Sequence, residues 1–234
     1  MSKQGFNLLV VGYENTGKSM LGSKIKDCLI INCDHKRYVF DAIHSNYTQW
    51  KGIDDFKSFV NSKIVAYKEK YGSLPKNLAI DTVTHMYNSL VKYNSEKNTV
   101  GGKSNGFKAM EENNQNTIDI ADYFRALNSR GINVIIFAHT KIDQKTDQFT
   151  VPAQGSFRDS GSWQSFVSEG IFIERDKETH QIVLKNANNR CVRTNLKEIV
   201  ESDEAIIAVK FNDFDINEHI KKIASSIVDE TKEL

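Results

Sequence analysis

The octapeptide GYENTGKS, residues 12–19, constrains this chain more than any other stretch. Gly12, Gly17, Lys18 and Ser19 fit G-x-x-x-x-G-K-[ST], the phosphate-binding P-loop. The glycines permit a tight turn whose backbone N–H groups converge on an anion. Lys18 then reaches for the β- and γ-phosphates of a nucleotide, and the Ser19 hydroxyl ligates Mg²⁺. The flanks agree with this reading. FNLLVVG (6–12) is a short apolar run typical of a buried strand, and in SMLGSKIKDCL (19–29) apolar residues at 20, 21, 25 and 29 recur at a helical spacing. A strand, a loop and a helix whose dipole faces the anion form the context the motif needs. The expected nucleotide-binding set is Gly12, Tyr13, Glu14, Asn15, Thr16, Gly17, Lys18, Ser19 and Met20, with ATP and Mg²⁺ as ligands.

The rest of the chain carries no feature of equal weight. Its 234 residues suit one large domain, or one domain with an appendage. A net charge of +1 excludes a global basic field, so any nucleic-acid site must be a local patch. Cys28, Cys33 and Cys191 show no metal-ligand spacing, and their odd number favours a reduced, cytoplasmic setting. The N-terminus enters a strand by residue 6, so no signal peptide is expected, and no apolar run approaches the length of a membrane span.

Apolar runs alternate with helical patterns, which predicts an α/β fold with a mostly parallel sheet flanked by helices. Strands are expected at 6–12, 29–33, 77–81, 132–139 and 205–211, and a late β-hairpin from 170–176 and 180–186. Helices are expected at 19–29, 53–72, 85–93, 117–131 and 216–230. Residues 94–108 are polar and glycine-rich and read as a mobile loop, and 140–165 as a second long polar stretch.

Hydrolysis requires more than a phosphate loop: an acid for the metal, a group that positions water, and a sensor of the γ-phosphate. Candidates stand at strand C-termini, where open α/β sheets place their ligands. Asp81 ends NLAID and suits the metal-binding acid, a role favoured over that of a helix cap. Asp34 follows LIINC and either orients the attacking water or serves a turn. His139 ends INVIIFAH and either donates to the γ-phosphate or is a structural histidine. Lys185 and Arg190, in VLKNANNRCVRT, either complete a neighbouring subunit's site as a trans finger or are solvated cations.

In order and spacing, GYENTGKS, IINCDH, LAIDTV, VIIFAH and VLKN resemble the core of the RecA-like recombinase ATPases. The likeness covers about residues 6–195, leaving a C-terminal strand and helix at about 196–234 of a single RecA-like P-loop NTPase domain spanning 1–234. The resemblance implies that Asp34 activates water, where the family usually has Glu. The shorter Asp implies a less efficient hydrolysis. It also implies that His139 senses the γ-phosphate, as in small phage-encoded members, and that Lys185 reaches across a subunit interface. Ala187 replaces a second basic position, for which Arg190 is the stand-in.

Two segments fall where RecA-like proteins place their DNA-binding loops. Residues 94–116 carry Lys97, Lys103 and Lys108 beside Phe107, and 141–161 carry Lys141, Lys145, Phe149, Phe157 and Arg158. Cations for phosphates and rings for bases suit single-stranded DNA. With no N-terminal domain or polymerisation segment expected before the first strand, the chain resembles the small phage single-strand annealing proteins of Sak type. That resemblance implies an ATPase stimulated by single-stranded DNA, a homo-oligomer in ring or filament form, and a single-strand-binding protein as partner. A helicase-like motor, a small-molecule kinase and a regulatory ATP-binding protein with weak turnover are the competing readings.

Overall fold

The computed structural model describes residues 4–34, 36–143, 148–151, 153, 155–156, 162–175, 182–186 and 209–226. Strand β1 (Asn7–Gly12) lies inside an eight-stranded sheet. It runs parallel to β7 (Asn133–His139) on one side and to β10 (Glu169–Arg175) on the other. Beyond β7 come β4 (Asn77–Asp81), β2 (Cys28–Asn32) and β3 (His44–Asn46), all parallel. Beyond β10, β11 (Ile182–Asn186) returns antiparallel as the expected hairpin, and β12 (Val209–Lys210) closes that edge. This arrangement is the RecA-like P-loop α/β fold.

Both faces of the sheet are covered, so its strands read as near-continuous apolar runs. Alternate side chains face opposite cores. Leu9, Val11, Ile31, Ile80 and Ile136 pack under α2 (Ile53–Tyr71), α3 (Val83–Lys97) and α4 (Gly106–Ser129). Leu8, Val10, Ile30, Ala79 and Phe137 pack against α1 (Lys18–Ser23) and α6 (Ile216–Ser226). A short α5 (Ser162–Phe166) brings Trp163 into the first core. Among the described residues no helix is long and apolar enough to cross a membrane.

Several boundaries differ from the sequence reading. Helix α1 ends at Ser23 rather than near 29, because Ile25 drops into the core and Leu29 already belongs to β2. Strand β3 has no sequence signature, being three mostly exposed residues, HSN. Helix α3 begins at Val83 on a Thr82 cap, and α4 begins at Gly106 rather than 117. Residues 94–108 are therefore not one mobile loop. They hold the end of α3, a hairpin of β5 (Thr99–Val100) and β6 (Lys103–Ser104), and the first turn of α4. Gly101 and Gly102 form its turn with φ of 56° and 78°. Its base is locked by Asn94 donating to Asn113 and by Asn98 and Lys97 on Glu112. The polar stretch after β7 holds a second hairpin of β8 (Lys141–Asp143) and β9 (Gln148–Thr150). Of the strand expected at 205–211, only Val209–Lys210 is strand among the described residues, and Phe211 starts a 3₁₀ turn.

Helix α6 is anchored by Asn217, which donates to the Lys24 carbonyl and accepts from the Lys26 amide. Beneath it His219 Nε2 stands 3.8 Å from Glu169 Oε1. Burial pushes the Glu169 carboxyl up to about 7 and the His219 imidazole down to about 4. A carboxyl whose folded pKa is raised from 4.5 adds stability at low pH and loses it as pH rises through 7. Glu169→Gln should therefore gain on the wild type between pH 5 and pH 8, by up to about 3 kcal/mol. Urea unfolding at both pH values measures the gap. A gap that does not change with pH would show that this carboxyl ionises at no cost.

Candidate active site

The P-loop folds back over its own lysine. Gly12 ends β1 in register with His139 of β7 and Ile173 of β10. A Cβ at Gly12 would stand 2.4 Å from the Ile173 carbonyl oxygen and 2.8 Å from Thr16 Oγ1, so only glycine fits. Gly17, at φ 91°, turns the chain into α1. Lys18 Nζ donates to the carbonyls of Gly12 and Tyr13, at 2.9 and 2.5 Å. Burial lowers its pKa to about 8, against the pull of Asp81 and Glu14. The ammonium is thus desolvated and gains from any additional anion.

Asp81 ends β4 and is 1% exposed. Burial raises its pKa, while hydrogen bonds from Ser19 and Tyr38 pull it down. The Tyr38 hydroxyl donates to Oδ2 at 2.5 Å. Oδ1 is buried with no hydrogen-bond partner among the described residues. A hydroxyl and a buried carboxylate side by side, with one oxygen lacking a donor, fit a hydrated Mg²⁺.

Asp34 lies two residues past the end of β2, and its amide donates to Asn32 Oδ1 at 3.0 Å. Its carboxylate has Lys36 Nζ at 3.8 Å on one oxygen and His85 Nε2 at 3.7 Å on the other. His139 ends β7, where its amide donates to Thr84 Oγ1 at 2.8 Å. Burial first, then Lys18 and His85, lower its pKa to about 4. At pH 7 it is a neutral ring with one N–H to give. The rings of His85 and His139 meet edge to face, 5.1 Å apart.

Lys18, Ser19, Asp81, Asp34 and His139 thus gather at the C-terminal ends of the inner strands. Two neighbours escaped the sequence reading. Tyr38 comes from the loop after β2, and His85 from the first turn of α3, inside a run that reads only as helix. Neither belongs to a spacing motif.

The other candidates stand elsewhere. Lys185 is on β11, opposite Phe172 and two strands from the P-loop, and Arg190 lies outside the described residues. Lys103 is exposed on β6, and Lys108 and the 75%-exposed Phe107 are in the first turn of α4 rather than in a loop. Lys141 is on β8. Lys145, Phe157 and Arg158 lie outside the described residues.

The Tyr38 bond is testable on its own. Tyr38→Phe removes the hydroxyl that donates to Oδ2 of this buried carboxyl, and should cost about 1–3 kcal/mol at pH 7. Urea denaturation reads it. Unchanged stability would mean that water replaces the hydroxyl freely.

No curated protein is a significant sequence match to the chain. Among solved structures it is similar to a KaiC-like protein, PH0186, from the hyperthermophilic archaeon Pyrococcus horikoshii. The identity is 9%, the TM-score 0.47, and the match covers 78% of this chain and 77% of that one. A family model described as an AAA domain (AAA_24) matches residues 4–195. With the P-loop, the parallel sheet and this match over most of its length, the chain belongs to that AAA-domain family of P-loop ATPases.

Proposed function

We propose that the chain is an ATPase that binds single-stranded DNA and promotes its annealing, hydrolysing ATP where subunits meet. The observation that carries the hydrolytic half is the convergence of a P-loop lysine, a buried acid with an orphaned oxygen, a second acid and a neutral histidine at the C-terminal end of the sheet. A site that only held nucleotide would have little use for the last two.

The roles follow from the chemistry. Lys18 exchanges its two carbonyl partners for β- and γ-phosphate oxygens, a charge-assisted contact. Ser19 and Asp81 would hold Mg²⁺, which neutralises charge on the phosphates when bound. Asp34 accepts a hydrogen bond from the attacking water and orients it. His139, uncharged, donates its N–H to a γ-phosphate oxygen and loses that contact after cleavage. In this reading Lys185 and Arg190 serve the site of the next subunit in a ring or filament. Lys18→Ala should lower hydrolysis by about 100-fold or more, since the transition-state charge loses its nearest cation. ATPase assays of both proteins, with and without single-stranded DNA, decide this. Full turnover in the variant would mean the loop is not the site. Turnover on a small acceptor would favour a kinase.

The DNA half rests on the tip between α3 and α4. Lys103 and Lys108 stand there beside exposed Val100, Phe107 and Met110. Such a surface meets phosphates with its cations and stacks bases on its ring. A single-strand-binding protein, as a source of strands to anneal, is the partner this reading expects. Replacing Lys103, Phe107 and Lys108 by Ala should weaken binding of an oligothymidine and flatten its salt dependence by about 1 in log–log slope. Fluorescence anisotropy between 50 and 300 mM salt measures it. An unchanged slope would move the DNA site elsewhere.

A further inference from the structure

We propose that His85 is a positioning residue for hydrolysis, one that fixes the carboxylate of Asp34 and joins it to His139. This rests on the hydrolytic reading above and adds a group that no motif in the chain marks.

Asp34 is one methylene shorter than glutamate, so it reaches less far and depends more on being held in place. Two nitrogen-bearing side chains flank it. The Lys36 ammonium is 64% exposed and 3.8 Å away, and an ion pair so solvated fixes little, while the Lys36 amide donates to Oδ1 at 3.3 Å from the same turn and leaves the carboxylate's outer side to be held. His85 is different, because its position is determined by the helix that carries it. Thr82 caps α3 by accepting from the His85 amide, and the same hydroxyl lies 2.9 Å from His85 Nδ1. Oγ1 already accepts from that amide, so its own proton is free to go to Nδ1. With that proton given to Nδ1, the arrangement the proposal assigns, the ring's own proton stands on Nε2, which faces Asp34 Oδ1 at 3.7 Å. The chain of donors runs from Thr82 through His85 to Asp34. The separation is longer than a made hydrogen bond, as catalytic contacts commonly are before substrate tightens them. On its other side the ring meets His139. One imidazole thus touches the group that orients water and the group that contacts the γ-phosphate.

His85 also lines a cavity of about 450 Å³ with Trp50, Asn88, Ser89 and Tyr93. The ring therefore borders open space, and truncating it leaves the core of α3, carried by Val83, Met86 and Leu90, in place.

Two measurements on the full chain test the proposal. The first is kinetic. His85→Ala should lower kcat by about 10-fold or more, with KM for ATP changed by less than about 3-fold, because a positioning group acts on the transition state. His85→Gln, whose amide places an N–H near the old Nε2, should recover most of the loss. An unchanged kcat in the alanine variant, or a glutamine variant no better than alanine, would overturn the proposal. The second needs no nucleotide. Long-range ¹⁵N–¹H correlation of the imidazoles should show His85 with its proton on Nε2, and Asp34→Ala should shift that nitrogen. A proton on Nδ1, or no shift, would overturn it. Should the wild type hydrolyse no ATP at all, the hydrolytic reading itself falls, and the spectra alone then decide whether His85 holds Asp34.

Discussion

A parallel sheet covered on both faces has nowhere to put polar chemistry except its ends, and this constraint shapes the whole molecule. Leu8 to Val11 are fully buried, as are Leu78 to Ile80 and Val134 to Ala138. The chain can expose a reactive side chain only where a strand stops. Gly12, Asp81 and His139 are each the last residue of their strands, and Asp34 follows just beyond a fourth. Because the strands are parallel, with Gly12 paired to His139, Asp81 to Phe137 and Asn32 to Asp81, these stops fall within two residues of one another. The site is what remains when everything between the helices must be apolar.

The same burial sets the charges. Lys18, Asp81 and His139 are each desolvated, and each is pushed toward its neutral form. They are left charged or neutral by the balance of neighbours rather than by water. Lys18 keeps its proton with help from Asp81, while His139 is denied one partly by Lys18. A triphosphate entering this edge brings negative charge to a place that has lost its solvent, where electrostatic interactions are strong. Water-facing groups would respond far less.

How much of this could be read from residues alone depends on whether a signal is local. The P-loop, the strand ends and the late hairpin are local patterns, and each was found where its pattern lay. Strand β3 and the early start of α4 were not, because HSN and the polar run from Gly106 owe their structure to neighbours. In α4 the polar residues are not solvated filler. Asn113 is buried against Asn94, and Glu112 is shared by Lys97 and Asn98. Polarity normally marks a loop, and here it marks a satisfied interhelical network. Tyr38 and His85 fail for a related reason. Their importance lies in what stands opposite them, and nothing in single-sequence spacing records that Asp81 faces one and Asp34 the other.

Helix α3 is the element that gives these local facts a common consequence. Its first turn holds the site: Thr84 binds the backbone of His139, and His85 faces Asp34. Its last turn holds the base of the exposed hairpin, through Asn94, Lys97 and Asn98. Fifteen residues of helix span about 22 Å, so a single rigid element reaches from the nucleotide edge to the basic, aromatic tip. Rigidity alone does not couple two sites; each ligand must favour a different position of the shared element. The contacts that would supply this preference differ at the two ends. At the sheet end they are the Thr84 bonds to the His139 backbone and the approach of His85 to Asp34. At the tip they are buried amides that resist change. Because both of its ends are hydrogen-bonded to their neighbours, α3 cannot shift at the sheet end without loading the Asn94–Asn113 bond that joins it to α4.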